Sequence, residues 1–131
     1  MIPLDTSSDL SPGMFMKEAA RRLGGLKFVG TDLDTFRGGK IFVLAFGKES
    51  GKHPDVGVGI VDGEVDFGTE LKDEATYKGI MESLVGLAVV AVEPSKLLDS
   101  RKRELPAVAI VLTGGKAVKF SGRAVLLIGM M

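Results

Sequence analysis

The chain has 131 residues, which is the size of one domain and long enough to bury a core without disulfides. Its 17 basic and 17 acidic residues cancel, so no overall charge favours nucleic acid, and none is expected as a partner. The chain contains no cysteine and one histidine, which excludes disulfides, thiolate metal sites and two-histidine metal sites within the chain. Without a leader or a membrane-length apolar run, we expect a cytoplasmic protein with no membrane partner.

The first half of the chain begins with a helix and continues with strands. Residues 1–10 are polar and turn-prone and are interpreted as an N-terminal arm, followed by a single domain over residues 11–131. Ser11 and Pro12 form an N-cap and first turn, apolar residues then recur at helical spacing to Leu23, and two glycines end the helix. Residues 26–30 are predicted as a short strand, 31–39 as a loop, and 40–46 as a buried central strand.

Residues 55–68, DVGVGIVDGEVDFG, give the clearest structural pattern in this glycine-rich chain. Two runs of period-2 alternation flank an Asp-Gly pair, which is the preferred sequence of a two-residue β-hairpin turn. We therefore predict a β-hairpin. Gly57 and Gly59 would leave a flat strip on one face, which favours close packing of a helix, with the floor of a ligand site as the alternative.

The second half is predicted as helix, strand, helix and a three-strand meander. A helix runs from near Thr69 to Val85, an apolar strand covers 87–92, and a charged helix runs from Pro94 to about Glu104. Strands at 107–112, 117–120 and 123–128 follow. Strand–helix–strand crossovers imply some parallel pairing. The fold class is thus α+β, with a mixed, mostly antiparallel sheet of about seven or eight strands and about three helices in a single compact domain.

The best candidates for metal binding lie in the predicted hairpin. Asp62, Glu64 and Asp66 alternate, so their carboxylates would share one side and could hold a hard cation. His53, Gly57 and Gly59 are ligand-binding candidates beside them. The alternative is a solvent-exposed polar face, because a strand with one buried face requires polar residues at the alternate positions.

A second group of candidates combines Asp32 and Asp34 after one strand with Thr113 and Lys116 after another. This pattern loosely resembles the first two motifs of haloacid-dehalogenase-type phosphatases. The resemblance implies Asp32 as nucleophile, Asp34 as acid–base, Thr113 as phosphate ligand and Lys116 in place of the family lysine. An Asp-rich turn explains the same residues without chemistry.

No motif indicates a cofactor, and no catalytic constellation is complete. The sequence therefore favours a non-catalytic module that is homo-oligomeric, structural or binds a small ligand, and an enzyme is not the preferred interpretation. The alternative is a small metal- or phosphate-dependent enzyme that uses Asp32 and Asp34 or the carboxylates of Asp62, Glu64 and Asp66. A basic cluster on the third predicted helix is interpreted as a solvated face; it comprises Lys96, Arg101, Lys102 and Arg103.

Overall fold

The structure is a computed structural model that describes residues 12–36, 39–48, 54–61, 63–68, 73–99 and 101–128. The arm at 1–10, His53 and Asp62 lie outside the described residues. The elements in chain order are α1 (Pro12–Leu23), β1 (Lys27–Phe36), β2 (Gly39–Gly47), β3 (Val56–Val61), β4 (Val65–Asp66), α2 (Glu74–Leu84), β5 (Val89–Leu98), β6 (Glu104–Leu112), β7 (Ala117–Phe120) and β8 (Arg123–Ile128). The α+β class is confirmed.

The strands form two four-stranded sheets with the orders β1-β2-β3-β8 and β4-β7-β6-β5. Every described strand pair is antiparallel, so the prediction of a mixed sheet with parallel pairs is wrong. The strands on either side of α2 belong to the same sheet but are not neighbours in it. The sheets meet at one corner, where Phe28 N donates to Leu87 O at 2.9 Å and Val89 N donates to Leu26 O at 2.8 Å.

The main core lies between the inner faces of the two sheets and includes one face of α1. Phe28 and Phe46 pack with ring centroids 5.6 Å apart, and Phe15 of α1 meets Phe120 of β7 edge-to-face at 6.2 Å. The apolar spacing that predicted α1 corresponds to its buried face, formed by Phe15, Ala19 and Leu23. The prediction of this helix is confirmed.

The prediction of a buried central strand at 40–46 is also confirmed. β2 lies between β1 and β3, and its side chains are buried on both faces. Leu44 and Phe46 belong to the main core, whereas Ile41 and Val43 belong to a second buried cluster with Val125 and Leu127 of β8. A strand that is buried on both faces is continuously apolar rather than alternating, so a continuous apolar run in the sequence predicts a central strand.

The β-hairpin predicted at 55–68 does not form. β3 pairs with β2 and β8, while β4 pairs with β7 in the other sheet. The chain therefore crosses between the sheets at Gly63, beside the turn that leads from β7 to β8. Ser121 N donates to Glu64 O at 2.9 Å there, and a Cβ at Gly63 would lie 1.9 Å from Ser121 O. Glycine is required at this position by the close approach of two backbones.

The third predicted helix is wrong, because residues 94–98 continue β5 and Glu104 begins β6. Asp99 closes the turn of this hairpin: Oδ1 accepts from the backbone N–H groups of Arg101 and Arg103 at 2.8 Å each. Asp99 Oδ2 accepts from Arg103 Nε at 2.8 Å. Such bonds from an Asp side chain to nearby backbone groups compete with helix formation, which favours a turn at Asp99 over the interior of a helix.

Two further predictions need correction. The loop predicted at 31–39 is largely strand, because β1 continues to Phe36 and pairs with β2 as far as Gly39. Thr31 in this extension is hydrogen-bonded through its hydroxyl to Tyr77 of α2. In the predicted C-terminal meander, the β6–β7 hairpin is confirmed, but β8 pairs with β3 of the other sheet instead of β7.

The turn at Asp99 predicts a pH-dependent contribution to stability. Hydrogen bonds from the backbone N–H and side chain of Arg103 lower the pKa of the Asp99 carboxyl below its ordinary value. A carboxyl whose folded pKa is lowered stabilises the protein above its unfolded pKa, about 3.9, and this contribution disappears as the pH falls through the folded pKa. We expect Asp99→Ala to lower Tm at pH 7, and we expect the difference from wild type to shrink progressively below about pH 5.

Thermal unfolding followed by circular dichroism measures this difference. Glu93→Gln is the control, because Glu93 is an exposed carboxylate on β5 and its replacement should leave Tm nearly unchanged. A Tm difference between Asp99→Ala and wild type that stays constant from pH 7 to pH 3 would show that the carboxylate charge contributes nothing to the turn.

Candidate ligand cavity

A cavity of about 660 Å³ lies between α1 and the distal half of the β5–β6 hairpin. Met16 of α1 lines one side, and the hairpin lines the other with two prolines and Val108. The end of β7 also lines the cavity, which is open to solvent. Its main lining residues are Met16, Pro94, Pro106, Val108, Phe120 and Ser121.

The lengths of the strands explain why a cavity forms here. β5 and β6 have 10 and 9 residues, whereas β7 has only 4 and its last pair with β6 joins Phe120 to Val108. The hairpin therefore extends past the end of β7, and from Glu104 to Ala107 the edge of β6 that faces away from β5 has no neighbouring strand among the described residues. Pro94 lies opposite Val108, at the level where β7 ends, and Pro106 lies opposite Lys96 within the extension.

Apolar groups dominate the walls of the cavity, and none of its lining residues is ionisable. Lys96 and Glu104 lie on the same part of the hairpin, and their Nζ and Oε1 atoms form an ion pair at 2.8 Å. Both side chains are largely exposed, at 71% and 59%. Ser121 is the one buried polar residue among the described residues, with 9% exposure.

Of the carboxylates predicted to bind a metal, Glu64 and Asp66 lie in the described part of the chain. Asp62 and His53 lie outside the described residues, and Glu64 and Asp66 are both exposed. Asp66 Oδ1 accepts a hydrogen bond from Gly68 N at 2.7 Å, which is a local turn contact. Within the described ranges, no group of three or more His, Cys, Asp or Glu residues could hold a metal ion.

The four residues of the phosphatase-like pattern are separated in the structure. Asp32 is exposed on β1 and accepts from Leu33 N at 2.8 Å, and Asp34 follows in the same strand. Thr113 lies after β6, where its Oγ1 accepts from Ala88 N at 3.2 Å; Lys116 is exposed just beyond. Ala88 is bridged to Lys27, which lies about 16 Å from Asp32 along β1 at the rise of an extended strand.

The glycine strip of β3 is occupied by neighbouring strands. Gly57 and Gly59 are buried. A Cβ built at Gly59 would lie 2.9 Å from both Ile41 Cδ1 and Val125 Cγ2. The close approach expected at a strand glycine is therefore present at Gly59, but it is made by side chains of β2 and β8 and not by a helix.

The basic cluster lies on the β5–β6 hairpin and not on a helix. Lys96 is paired with Glu104 and Arg103 with Asp99, so two of its four members form ion pairs. Arg101 and Lys102 are exposed in the turn between the strands, where Lys102 has a positive φ of 59°. The interpretation of these residues as a solvated surface suits this placement.

Sequence reasoning misses the cavity because its residues have other interpretations. In the sequence, Met16 suits a helix face, Pro94 a helix start, Pro106 a helix stop and Ser121 a turn. One signal is available: a proline lies on each side of the charged turn at residues 99–103, and proline within a strand is typical of a sheet edge.

Comparison of the chain with protein-family models, with curated proteins and with solved structures gave no match. Neither of the two helices in the described part of the chain is long and apolar enough to cross a membrane. The geometry of the cavity is therefore the main basis for assigning a function.

Proposed function

We propose that the protein is a non-catalytic module that binds a small, mainly apolar ligand in the cavity between α1 and the β5–β6 hairpin. The observation that supports this most directly is the cavity itself. Its volume of about 660 Å³ falls within the range of small-molecule sites, about 300 to 1,000 Å³. Such sites are typically apolar with few polar groups, as this one is.

The walls of the cavity are largely fixed by the fold, which favours binding. Phe120 is 2% exposed and is held by its edge-to-face contact with Phe15. Pro94 and Pro106 have restricted backbone angles and lie in paired strands. A ligand that enters preformed walls loses less free energy to the ordering of the protein than one that must organise a loop.

The composition of the cavity supports binding without catalysis. General acid–base and nucleophilic catalysis require a titratable or activated group within hydrogen-bond distance of the reacting atoms. The lining residues include no carboxylate, histidine, lysine or tyrosine, and the hydroxyls of Ser95 and Ser121 have no base among them. The enzyme alternative would have to use residues elsewhere, such as Asp32 and Asp34 or Glu64 and Asp66.

Filling the cavity tests this proposal. We expect 2-methylnaphthalene to bind wild-type protein saturably and to bind Val108→Phe weakly or not at all, because the larger side chain occupies the ligand volume. The chain has no Trp and one Tyr, so naphthyl fluorescence reports binding with little background. Val90→Phe, the same change at a 59% exposed position on β5, should bind like wild type.

The proposal would be contradicted if wild type shows no saturable binding, or if Val108→Phe, shown to be folded by circular dichroism, binds as well as wild type. Either result would mean that the cavity is a packing defect or is too open to hold a ligand.

Self-association is a second candidate function, favoured by exposed apolar residues on edge strands. Leu33 of β1 is 70% exposed, and Val90 and Leu98 of β5 are also exposed. β1 and β5 lie at the ends of their sheets, where unpaired backbone groups can add a strand from another copy. Pro94 and the charged Glu93 and Lys96 disfavour such pairing along the middle of β5, so β1 is the better edge for self-association.

We further propose that residues 11–131 form a single domain and that the protein is cytoplasmic, as the sequence predicts.

A further inference from the structure

We infer that the ligand of this cavity is uncharged and has one hydrogen-bonding group, a hydroxyl or carbonyl, that binds the hydroxyl of Ser121. This inference depends on the proposed function and names the chemical class of ligand. It is based on two observations: the position of Ser121 and the absence of ionisable side chains among the lining residues.

The hydroxyl of Ser121 is a buried polar group that lacks a partner in the described part of the chain. Ser121 lines the cavity with 9% exposure. Its backbone N–H donates to Glu64 O at 2.9 Å, but its Oγ forms no hydrogen bond with any described residue. Buried polar groups in proteins almost always have a partner, either a protein group or an ordered water, so a hydroxyl with no partner among the described residues is available to a ligand that enters the cavity.

The position of Ser121 is fixed by the backbone around it. Gly122, with a φ of 98°, and Gly63 are so close that a Cβ at Gly122 would lie 2.7 Å from Gly63 Cα. Ser121 is therefore held at the point where the chain crosses between the sheets. A donor or acceptor that is held in place this way orients a ligand at little entropic cost, and the apolar part of the ligand would lie against Phe120 and Val108.

The absence of ionisable lining residues argues against a charged ligand. An ionised group against these walls would lose part of its hydration without gaining a counter-charge from the lining residues, which is unfavourable. Lys96 and Glu104 already neutralise each other at 2.8 Å, so neither offers an unpaired charge to a ligand. Apolar walls, with one buried hydroxyl at Ser121 and the partly exposed hydroxyl of Ser95, thus select a neutral molecule.

Three naphthalene derivatives that differ at one substituent test the inference: 2-methylnaphthalene, 2-naphthalenemethanol and 2-naphthoate. We expect the alcohol to bind wild type roughly two- to tenfold more tightly than the hydrocarbon, which is the gain of one neutral hydrogen bond. The carboxylate should bind more weakly than the hydrocarbon, because its charge is not compensated.

Ser121→Ala removes the hydroxyl but retains the backbone N–H bond to Glu64. In this variant the alcohol should lose its advantage, while the hydrocarbon should bind as it does to wild type. Ser83→Ala is the matched control, because Ser83 is exposed on α2 and its hydroxyl donates only to Ile80 O. This variant should keep the wild-type order of affinities.

The outcomes separate the two proposals. If the hydrocarbon and the alcohol bind wild type equally, or the carboxylate binds best, the inference about Ser121 and ligand charge is wrong although the proposed function survives. If the alcohol keeps its advantage in Ser121→Ala, the hydroxyl is not the partner. If none of the three compounds binds wild type, both the inference and the proposed function are wrong.

Discussion

Gly63→Ala is expected to destabilise the protein by more than about 3 kcal/mol, which is a large fraction of the roughly 5–15 kcal/mol that stabilises an ordinary domain. The new Cβ would lie 1.9 Å from the backbone oxygen of Ser121 and 2.7 Å from Ile60 Cγ2. The contact with Ser121 involves a backbone atom, so no rotamer change can relieve it. The two chain segments that cross between the sheets would have to separate, which would also break the bond from Ser121 N to Glu64 O.

Urea unfolding at neutral pH measures this loss. Gly79→Ala is the matched control, since Gly79 lies in α2 and a Cβ added there would have no neighbour within 4 Å. Alanine is the better helix former, so this variant should be more stable than wild type by about 0.5–1 kcal/mol. If Gly63→Ala were as stable as Gly79→Ala, the chain could not cross between the sheets as described.

Phe28→Ala is expected to cost about 3–5 kcal/mol, because Phe28 is fully buried and truncation would leave a large cavity. Its ring packs against Phe46 with centroids 5.6 Å apart. Phe28 also lies at the corner where the sheets meet, and its N–H donates to Leu87 O at 2.9 Å. The loss of the side chain therefore weakens the core at the point where the two sheets are hydrogen-bonded to each other.

Leu33→Ala, on the same strand, is the control for this prediction. Leu33 is 70% exposed, and we expect its truncation to change the free energy of unfolding by less than about 0.5 kcal/mol. Both variants are measured by urea unfolding. Similar losses in the two variants would mean that Phe28 is not a core residue and that the inner face of β1 has been misassigned.

The elements that the sequence predicted correctly are those whose pattern reflects a local environment. α1 has apolar residues at helical spacing and a double glycine at its end, and the structure buries Phe15, Ala19 and Leu23 along that stripe. β2 is continuously apolar and lies between two strands with both faces buried. In both elements the local sequence pattern is enough to predict the secondary structure that forms.

The errors arose where strand partners are distant in sequence. Residues 55–68 suit a β-hairpin locally, but β3 gains two buried neighbours by pairing with β2 and β8 instead. Pro94 and the charged residues after it suit a short helix, but the strand pairing of β5 with β6 extends to Leu98 and Glu104. Long-range pairing outweighed local propensity at both places.

The cavity could not be predicted from the sequence because its residues come from separate segments. Met16 lies in α1, Pro94 and Val108 lie in the β5–β6 hairpin, and Ser121 follows β7. These residues surround the cavity because the β5–β6 hairpin is longer than β7. This difference in strand length depends on long-range strand pairing, which no short sequence motif encodes. The predicted carboxylate sites are more visible in the sequence because acidic residues at alternate positions form a pattern.

Titration of 2-methylnaphthalene into wild type, Val108→Phe and Val90→Phe is the most direct test of the claim that the cavity between α1 and the β5–β6 hairpin binds an apolar ligand. The prediction is saturable binding to wild type and to Val90→Phe, and a large loss of affinity in Val108→Phe. Equal fluorescence changes in all three proteins, or none in wild type, would contradict it.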